Sequence, residues 1–153
     1  MSFQPSHDAF ADPQDLYDTG RVLQKTLAIL SEPDSWTVGT YVRDHNHVSI
    51  TGRDNDWSRT HSFCYKGAIF AAAHAVGLGP EPSYAASMDQ YHVGAVGALF
   101  RALPSASQTG KDRAQALIAY NDTPGRTHPE IVACLKAAIL SVETQLQATA
   151  VLV

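Results

Sequence analysis

The sequence is poor in the features that usually identify a membrane protein or a nucleic-acid binder. Charged residues make up only 17% of its 153 residues, and no uninterrupted apolar run approaches the roughly 18–20 residues of a membrane helix. The net charge is −4, so the chain carries no general positive field for phosphate backbones. A membrane span and nucleic-acid binding are therefore not expected.

Cysteine is scarce as well. Cys64 and Cys134 stand far apart, and neither belongs to a C-x-x-C pair, which argues against a zinc ribbon. Both lie in apolar helical patterns, so two reduced, buried thiols are expected, and one disulfide between them stays open. The first residues hold neither a basic start nor an apolar run. No signal peptide is therefore predicted, and a cytoplasmic location is expected.

Motifs of catalysis and cofactor binding are also missing. The sequence has no Gly-rich phosphate loop, no G-x-S-x-G elbow and no paired-carboxylate motif. One pattern remains, because His61-x-x-Cys64 places a base and a thiol one turn apart at a helix start, where the pKa of a thiol falls. Since Cys64 stands between Phe63 and Tyr65, an inert buried thiol is the preferred interpretation. No cofactor is expected.

Helical periodicity with clear caps dominates what is present. Asp12-Pro13 has the pattern of an N-cap followed by proline in the first turn, and Thr127-x-x-Glu130 has the pattern of a capping box. The predicted helices cover about 13–31, 62–76, 89–103 and 110–120, and a last helix follows the capping box. Residues 1–12 are expected to form a flexible N-terminal arm, and 13–153 a single globular domain.

One stretch has the pattern of strands. Residues 36–42 and 47–50 are rich in β-branched and aromatic types and flank a polar turn at 43–46, which predicts a β-hairpin. The expected fold class is mainly α, a compact bundle of about five helices with one small β-hairpin. Gly94 and Gly97 predict close packing of their helix against the small-residue face of 67–75.

Three stretches carry a resemblance to a known family. They are Trp36-x-x-Gly39-x-Tyr41, Cys64-x-x-Gly67-Ala68-Ile69 and Tyr120-Asn-Asp-Thr-Pro-Gly-Arg-Thr-His-Pro-Glu130. Together they resemble an uncharacterised family of small proteins from actinobacteria and their bacteriophages, classed as a domain of unknown function. The family usually has Trp where this chain has Tyr120. The resemblance implies a shared fold and no particular reaction.

The turn 121–127 is the first candidate site. Its Pro and Gly fix the backbone, and the helix that follows presents unpaired N–H groups. We expect Asn121, Asp122, Arg126 and Thr127 to be the ligand-binding residues, with Arg126 holding a phosphate or carboxylate. A structural interpretation competes: an Asx-turn at Asn121 and Asp122, a helix cap at Thr127, and an ion pair between Arg126 and Asp122.

The polar stretch 43–61 is the second candidate. His45-x-His47 on a strand would point both rings the same way, and Asp54-x-Asp56 would add oxygens for a metal. The preferred interpretation is a solvated hairpin tip, because acids and bases balance there. No metal site is assigned.

The sequence thus favours a non-catalytic binding or interaction module. A narrower version is a phage-type protein that binds a host protein or a small anionic ligand. The alternative is a small cytoplasmic enzyme that uses Cys64 with His61, or Asp122 with Arg126. The apolar tail 150–153 and the glycine-bearing helix also predict a homodimer.

Overall fold

The fold is mainly α with one small β-hairpin, as predicted. The structure is a computed structural model, and it describes residues 12–50, 57–83, 86, 90–110 and 112–151. Within these residues there are five helices: α1 Pro13–Ile29, α2 Tyr65–Ala75, α3 Val93–Ala102, α4 Arg113–Asn121 and α5 His128–Val151. The expected N-terminal arm, except for Asp12, lies outside the described residues.

Two helix starts form through the caps that the sequence predicts. The Asp12 carboxylate accepts a hydrogen bond from Gln14 N at 2.7 Å and opens α1. At the start of α5, Thr127 N donates to Glu130 Oε1 at 2.9 Å, and Glu130 N donates to Thr127 Oγ1 at 3.4 Å. This reciprocal pair satisfies two N–H groups that a helix start leaves without partners. The capping box is therefore confirmed.

The start of α3 differs from its prediction. The helix expected from about 89 begins at Val93, and His92 is its N-cap, whose Nδ1 accepts a hydrogen bond from Ala95 N at 3.1 Å. Gly94 lies against Thr19 of α1, and Gly97 lies near the Arg113 side chain at the start of α4. Since α3 packs mainly on α5, α4 and α1 and touches α2 only slightly, the prediction that its two glycines pack closely against α2 is wrong.

The main core lies among the five helices. The fully buried side chains of α1, α2 and α5 fill its centre, and they include Leu23, Tyr65, Ile69, Ile131 and Leu135. One helix within the described residues, His128–Ala150, is long and apolar enough to cross a membrane, with 33% of its apolar window buried inside the protein. That is weak evidence for a span, since a core helix of a soluble protein has the same composition.

The hairpin forms from other partners than the sequence predicts. Strand β1 (Val42–Asp44) pairs antiparallel with β2 (Thr60–Phe63), with Val42 opposite Phe63 and an irregularity after Arg43. Residues 47–50 form no strand, but they contact β1 through an isolated bridge between Arg43 and Ser49. Two backbone hydrogen bonds flank it, from Asp44 N to Val48 O at 2.9 Å and from Ile50 N to Val42 O at 3.1 Å. The predicted helix start at Ser62 is wrong for the same reason, because Ser62 and Phe63 belong to β2 and α2 begins at Tyr65.

Candidate functional site

The three sequence stretches singled out above meet around one buried amide. Asn121, the last residue of α4, is fully buried. Its Oδ1 accepts hydrogen bonds from Trp36 Nε1 at 2.9 Å and from Tyr65 N at 3.1 Å. Its Nδ2 donates to Thr37 O at 3.0 Å. Asn121 therefore joins the loop before β1, the start of α2 and the end of α4.

Asp122 extends this junction outward. Its Oδ1 accepts hydrogen bonds from Gly39 N at 3.0 Å and from Asn121 Nδ2 at 2.9 Å. These two side chains do not form the Asx-turn that the structural interpretation proposed. Most of their hydrogen bonds are to residues more than 80 positions earlier in the chain. The carboxylate is thus held in place by a backbone amide and a buried side chain.

Gly67 lets the loop cross directly over the start of α2. A Cβ at Gly67 would clash with the Tyr41 carbonyl oxygen and press on Val42. Cys64 N donates to the same Tyr41 oxygen at 3.0 Å. The Cys64 sulfur caps α2 by accepting a hydrogen bond from Gly67 N at 3.4 Å. The C-x-x-G spacing therefore serves a helix cap and a close backbone crossing.

An open cleft lies beside this junction. Its volume is about 330 Å³, and it is lined by Gly39, Thr40, Tyr41, Ser49, Cys64, Gln115, Ile118 and Asp122. Thr40 Oγ1 and Ser49 Oγ are hydrogen-bonded across 2.6 Å. The lining therefore combines hydroxyl, amide and carboxylate groups with the apolar surfaces of Tyr41 and Ile118. It is more polar than the predominantly apolar lining of most ligand pockets.

Cys64 lines this cleft as a buried thiol. It is 2% exposed, and burial raises its pKa to about 11. No hydrogen bond joins it to His61, although the structure describes both residues. His61 lies on β2, where its ring centroid is 4.4 Å from that of His45 and its Nε2 is 3.8 Å from Asp34 Oδ2. The predicted base–thiol pair on one helix is therefore wrong.

Cys134 is the second thiol. It is reduced and buried like Cys64, and its Sγ lies 3.4 Å from the Tyr120 hydroxyl. The described structure thus contains two reduced, buried thiols, as the preferred interpretation of the sequence had it, and no disulfide between them.

Arg126 belongs to a stack rather than to the cleft lining. Its guanidinium lies 3.7 Å from the Tyr120 ring centroid, and that ring stacks on Tyr65 at 6.2 Å. Arg126 Nε donates to Tyr120 O at 3.0 Å, and Nη1 pairs with Glu130 Oε2 at 3.0 Å. The ion pair suggested with Asp122 is therefore formed with Glu130 instead. Gly125 adopts a φ of +83°, the left-handed region that favours glycine.

The two histidines of the candidate metal site do not form a pair. His45 lies against His61 rather than forming a pair with His47, which has a φ of +63° in the turn after β1. Asp54 and Asp56 lie outside the described residues. Among the residues that the structure describes, no group of three His, Cys, Asp or Glu side chains is arranged to hold a metal ion.

The cleft and its supporting junction lie within a segment matched by a known family model. Residues 17–140 match the model described as "Family of unknown function (DUF6197)". The chain belongs to DUF6197. No curated protein and no solved structure matches this DUF6197 chain.

Of the four predicted site residues of this DUF6197 chain, two lie at the cleft and two lie away from its lining. Asp122 lines the cleft, and Asn121 lies buried behind it. Arg126 and Thr127 form the stack and the helix cap described above and are not among the lining residues. Sequence reasoning missed Thr40, Ser49 and Gln115, which carry no motif. It missed Gly39 and Tyr41 as well, although the first quoted stretch contains both.

Proposed function

We propose that this DUF6197 chain is a non-catalytic binding module whose site is the cleft beside Asp122. One observation supports the proposal above all. Residues from all three quoted stretches, namely Gly39, Tyr41, Cys64 and Asp122, line the same cleft. A binding site needs polar and apolar groups gathered around an open cavity. Fold stability alone does not require such a cavity.

The enzyme alternative has less support from the geometry. A thiol with a pKa of about 11 is almost wholly protonated at neutral pH, and only the thiolate is an effective nucleophile. The second candidate pair, Asp122 with Arg126, is not formed, because Arg126 stacks on Tyr120 and pairs with Glu130. Neither pair therefore offers a base and a nucleophile within hydrogen-bonding reach of each other.

A blocking substitution tests the binding function. Gln115 is exposed on α4 and lines the cleft, so Gln115→Trp fills the cavity from a surface position. Gln147, exposed on α5, supplies the matched control Gln147→Trp. ¹⁵N-labelled protein is titrated with pools of amines, sugars, nucleosides and carboxylic acids, and the amide resonances of Gly39, Thr40 and Gln115 are followed.

At least one pool is expected to shift these resonances in the wild type and in Gln147→Trp, and not in Gln115→Trp. Resonances that stay unmoved by every pool would count against the cleft as a small-molecule site. A shift that persists in Gln115→Trp would place binding elsewhere in the protein.

The narrower hypotheses are proposals that need their own assays. For an anion bound at Arg126, the test is thermal stabilisation by phosphate, sulfate and nucleotides, compared between the wild type and Arg126→Ala. For a phage-type protein that binds a host protein, the test is affinity capture of that host protein by the wild type, compared with Arg126→Ala and Gln115→Trp. The homodimer rests largely on a tail whose last residues, 152–153, lie outside the described part, and light scattering decides it: a 16.5 kDa particle at high concentration would refute it.

A further inference from the structure

We infer that the cleft binds a small organic cation, with an ammonium or guanidinium group held by the Asp122 carboxylate. The inference rests on the proposed binding function and adds the chemical class of the ligand. The sequence suggested an anionic ligand held by Arg126. The cleft instead carries the negative charge of Asp122, and Arg126 is not among its lining residues.

Charge is the first argument. Among the described lining residues, Asp122 alone carries a formal charge at neutral pH, and the rest are neutral. An anion in the cleft would face this carboxylate without a lining cation to offset the repulsion, and an unpaired like charge rejects a ligand. A cation would gain a charge-assisted hydrogen bond, which is stronger than a bond between neutral groups.

The neighbouring guanidinium of Arg43 does not reverse this balance. Its Nε donates to Thr37 Oγ1 at 2.8 Å, its Nη1 to His47 O at 3.1 Å and its Nη2 to Val38 O at 3.1 Å. Thr37 and Val38 lie in the loop before β1 and His47 lies in the turn after it, and Arg43 is not a lining residue. Arg43 therefore shapes the loop, while the lining keeps its single negative charge.

Hydrogen-bonding capacity is the second argument. Asp122 Oδ1 holds Gly39 N and Asn121 Nδ2, whereas Oδ2 accepts no hydrogen bond from the part of the chain that is described. A carboxylate has about four acceptor positions, so Oδ2 is available to a donor in the cleft. Because the two inner bonds already fix the carboxylate, a ligand would not have to order it, which favours binding.

The other residues of the lining also suit a donor. Thr40 and Ser49 share one hydrogen between their hydroxyl oxygens, and each oxygen keeps an acceptor lone pair. Gln115 adds an amide oxygen, and Tyr41 and Ile118 supply apolar contact for a short carbon chain. A volume of about 330 Å³ lies at the lower end of the range for ligand pockets, about 300–1,000 Å³. Diamines and guanidino-amines of four or five carbons therefore match the site in size and chemistry.

A matched series of four-carbon ligands tests the inference by calorimetry. Putrescine, 1,4-butanediol and succinate share a chain length and differ in charge, and agmatine adds a guanidinium. Asp122→Asn removes the charge while keeping Oδ1 for its two inner bonds. The control Glu81→Gln removes one negative charge from an exposed position outside the cleft lining.

Putrescine or agmatine is expected to bind the wild type and Glu81→Gln equally, and Asp122→Asn about tenfold or more weakly, as for the loss of one hydrogen bond to a charged group. The diol and succinate are expected to bind far more weakly than either amine. Higher salt should also weaken amine binding.

Three results would overturn the inference. They are equal or stronger binding of the diol or succinate, unchanged amine affinity in Asp122→Asn, and no binding of either amine to the wild type. In each case the Gln115→Trp comparison still decides separately whether the cleft binds any small molecule. Where Asp122→Asn fails to fold, Gln115→Glu and Gln115→Lys replace it: the first should tighten amine binding and the second should weaken it, and the opposite order contradicts the inference.

Discussion

The buried amide of Asn121 gives the sharpest stability prediction. Asn121→Ala removes four hydrogen bonds at a fully buried position: from Trp36 Nε1 and Tyr65 N, and to Thr37 O and Asp122 Oδ1. Each intramolecular hydrogen bond contributes a net ~0.5–1.5 kcal/mol. The Tyr65 amide loses its Asn121 acceptor inside the protein, which adds a desolvation penalty. We therefore expect the free energy of unfolding to fall by about 3–5 kcal/mol.

Asn121→Asp separates the shape of this side chain from its hydrogen bonds. The substitution keeps an oxygen for Trp36 and Tyr65, but the second oxygen then faces the Thr37 carbonyl and the Asp122 carboxylate. A buried charge beside a like charge is strongly disfavoured. We expect Asn121→Asp to destabilise the protein at neutral pH at least as much as Asn121→Ala.

Urea unfolding at neutral pH measures both effects, with Gln147→Ala as the control at an exposed amide. The control should change stability by less than about 0.5 kcal/mol. A double-mutant cycle with Trp36→Phe should return a coupling of about 1 kcal/mol for the Trp36–Asn121 hydrogen bond. A loss below about 1 kcal/mol in Asn121→Ala, with an unchanged m value, would refute the structural role assigned to this residue.

Four further predictions follow from the same region and from the start of α3. Gly67→Ala should cost about 1–3 kcal/mol, because its Cβ would displace the Tyr41 backbone. Native Cys64 should resist iodoacetamide at pH 7.5, since its pKa is about 11, and should react once unfolded. Arg126→Ala should cost roughly 1–3 kcal/mol through the lost stack on Tyr120 and the lost bond to its carbonyl, and Arg126→Lys should recover little of it. The wild type should lose stability as pH falls below 6.5 because of His92, and His92→Asn should not show this contribution.

The sign of the His92 effect follows from its surroundings. Burial lowers the pKa of His92 below 6.5, although Asp18 and Asp15 oppose the shift. The unfolded chain therefore binds this proton at a higher pH than the folded chain does, and the stabilising contribution present above 6.5 is lost as pH falls through the folded-state pKa. Protonation also removes the Nδ1 acceptor that caps α3, and Asn keeps a capping oxygen without titrating.

Each of these predictions has a contradicting outcome. A Gly67→Ala variant as stable as the wild type would mean that the loop moves aside at no cost. Rapid alkylation of the folded protein at Cys64 would reopen the enzyme hypothesis. If Arg126→Lys were as stable as the wild type, the positive charge at position 126 would account for the stabilisation, and the stacking of a guanidinium on Tyr120 would not. If the stability of the wild type and of His92→Asn depended on pH in the same way, groups other than His92 would cause the loss of stability at low pH.

Local signals in the sequence predicted the helices better than the hairpin. Caps such as Asp12-Pro13 and Thr127-x-x-Glu130 act within one helical turn, so they can be identified from neighbouring residues. Strand β1 instead pairs with Thr60–Phe63, a partner that lies beyond an intervening loop. Two strands of three and four residues are too short for alternation to identify them.

The candidate site was predicted only in part for a related reason. The turn cluster 121–127 correctly marked a specific region, and Asp122 does line the cleft. The burial of Asn121 and the partners of Arg126 depend on Trp36, Tyr65 and the Tyr120 ring. These contacts arise from the packing of distant segments, which the residue types of a turn cannot reveal.

The Asn121 junction has a consequence for the order in which the molecule assembles. Its hydrogen bonds join positions 85 and 56 residues apart along the chain, so the entropy of closing both loops is lost before any of these bonds forms. Helices α1 and α5 can form from local contacts, but the loop 37–41 takes its partners from Asn121 and Asp122, far along the chain. We therefore expect the cleft to be completed at a late step of folding, so that a ligand that requires its full lining binds the finished fold and no earlier intermediate.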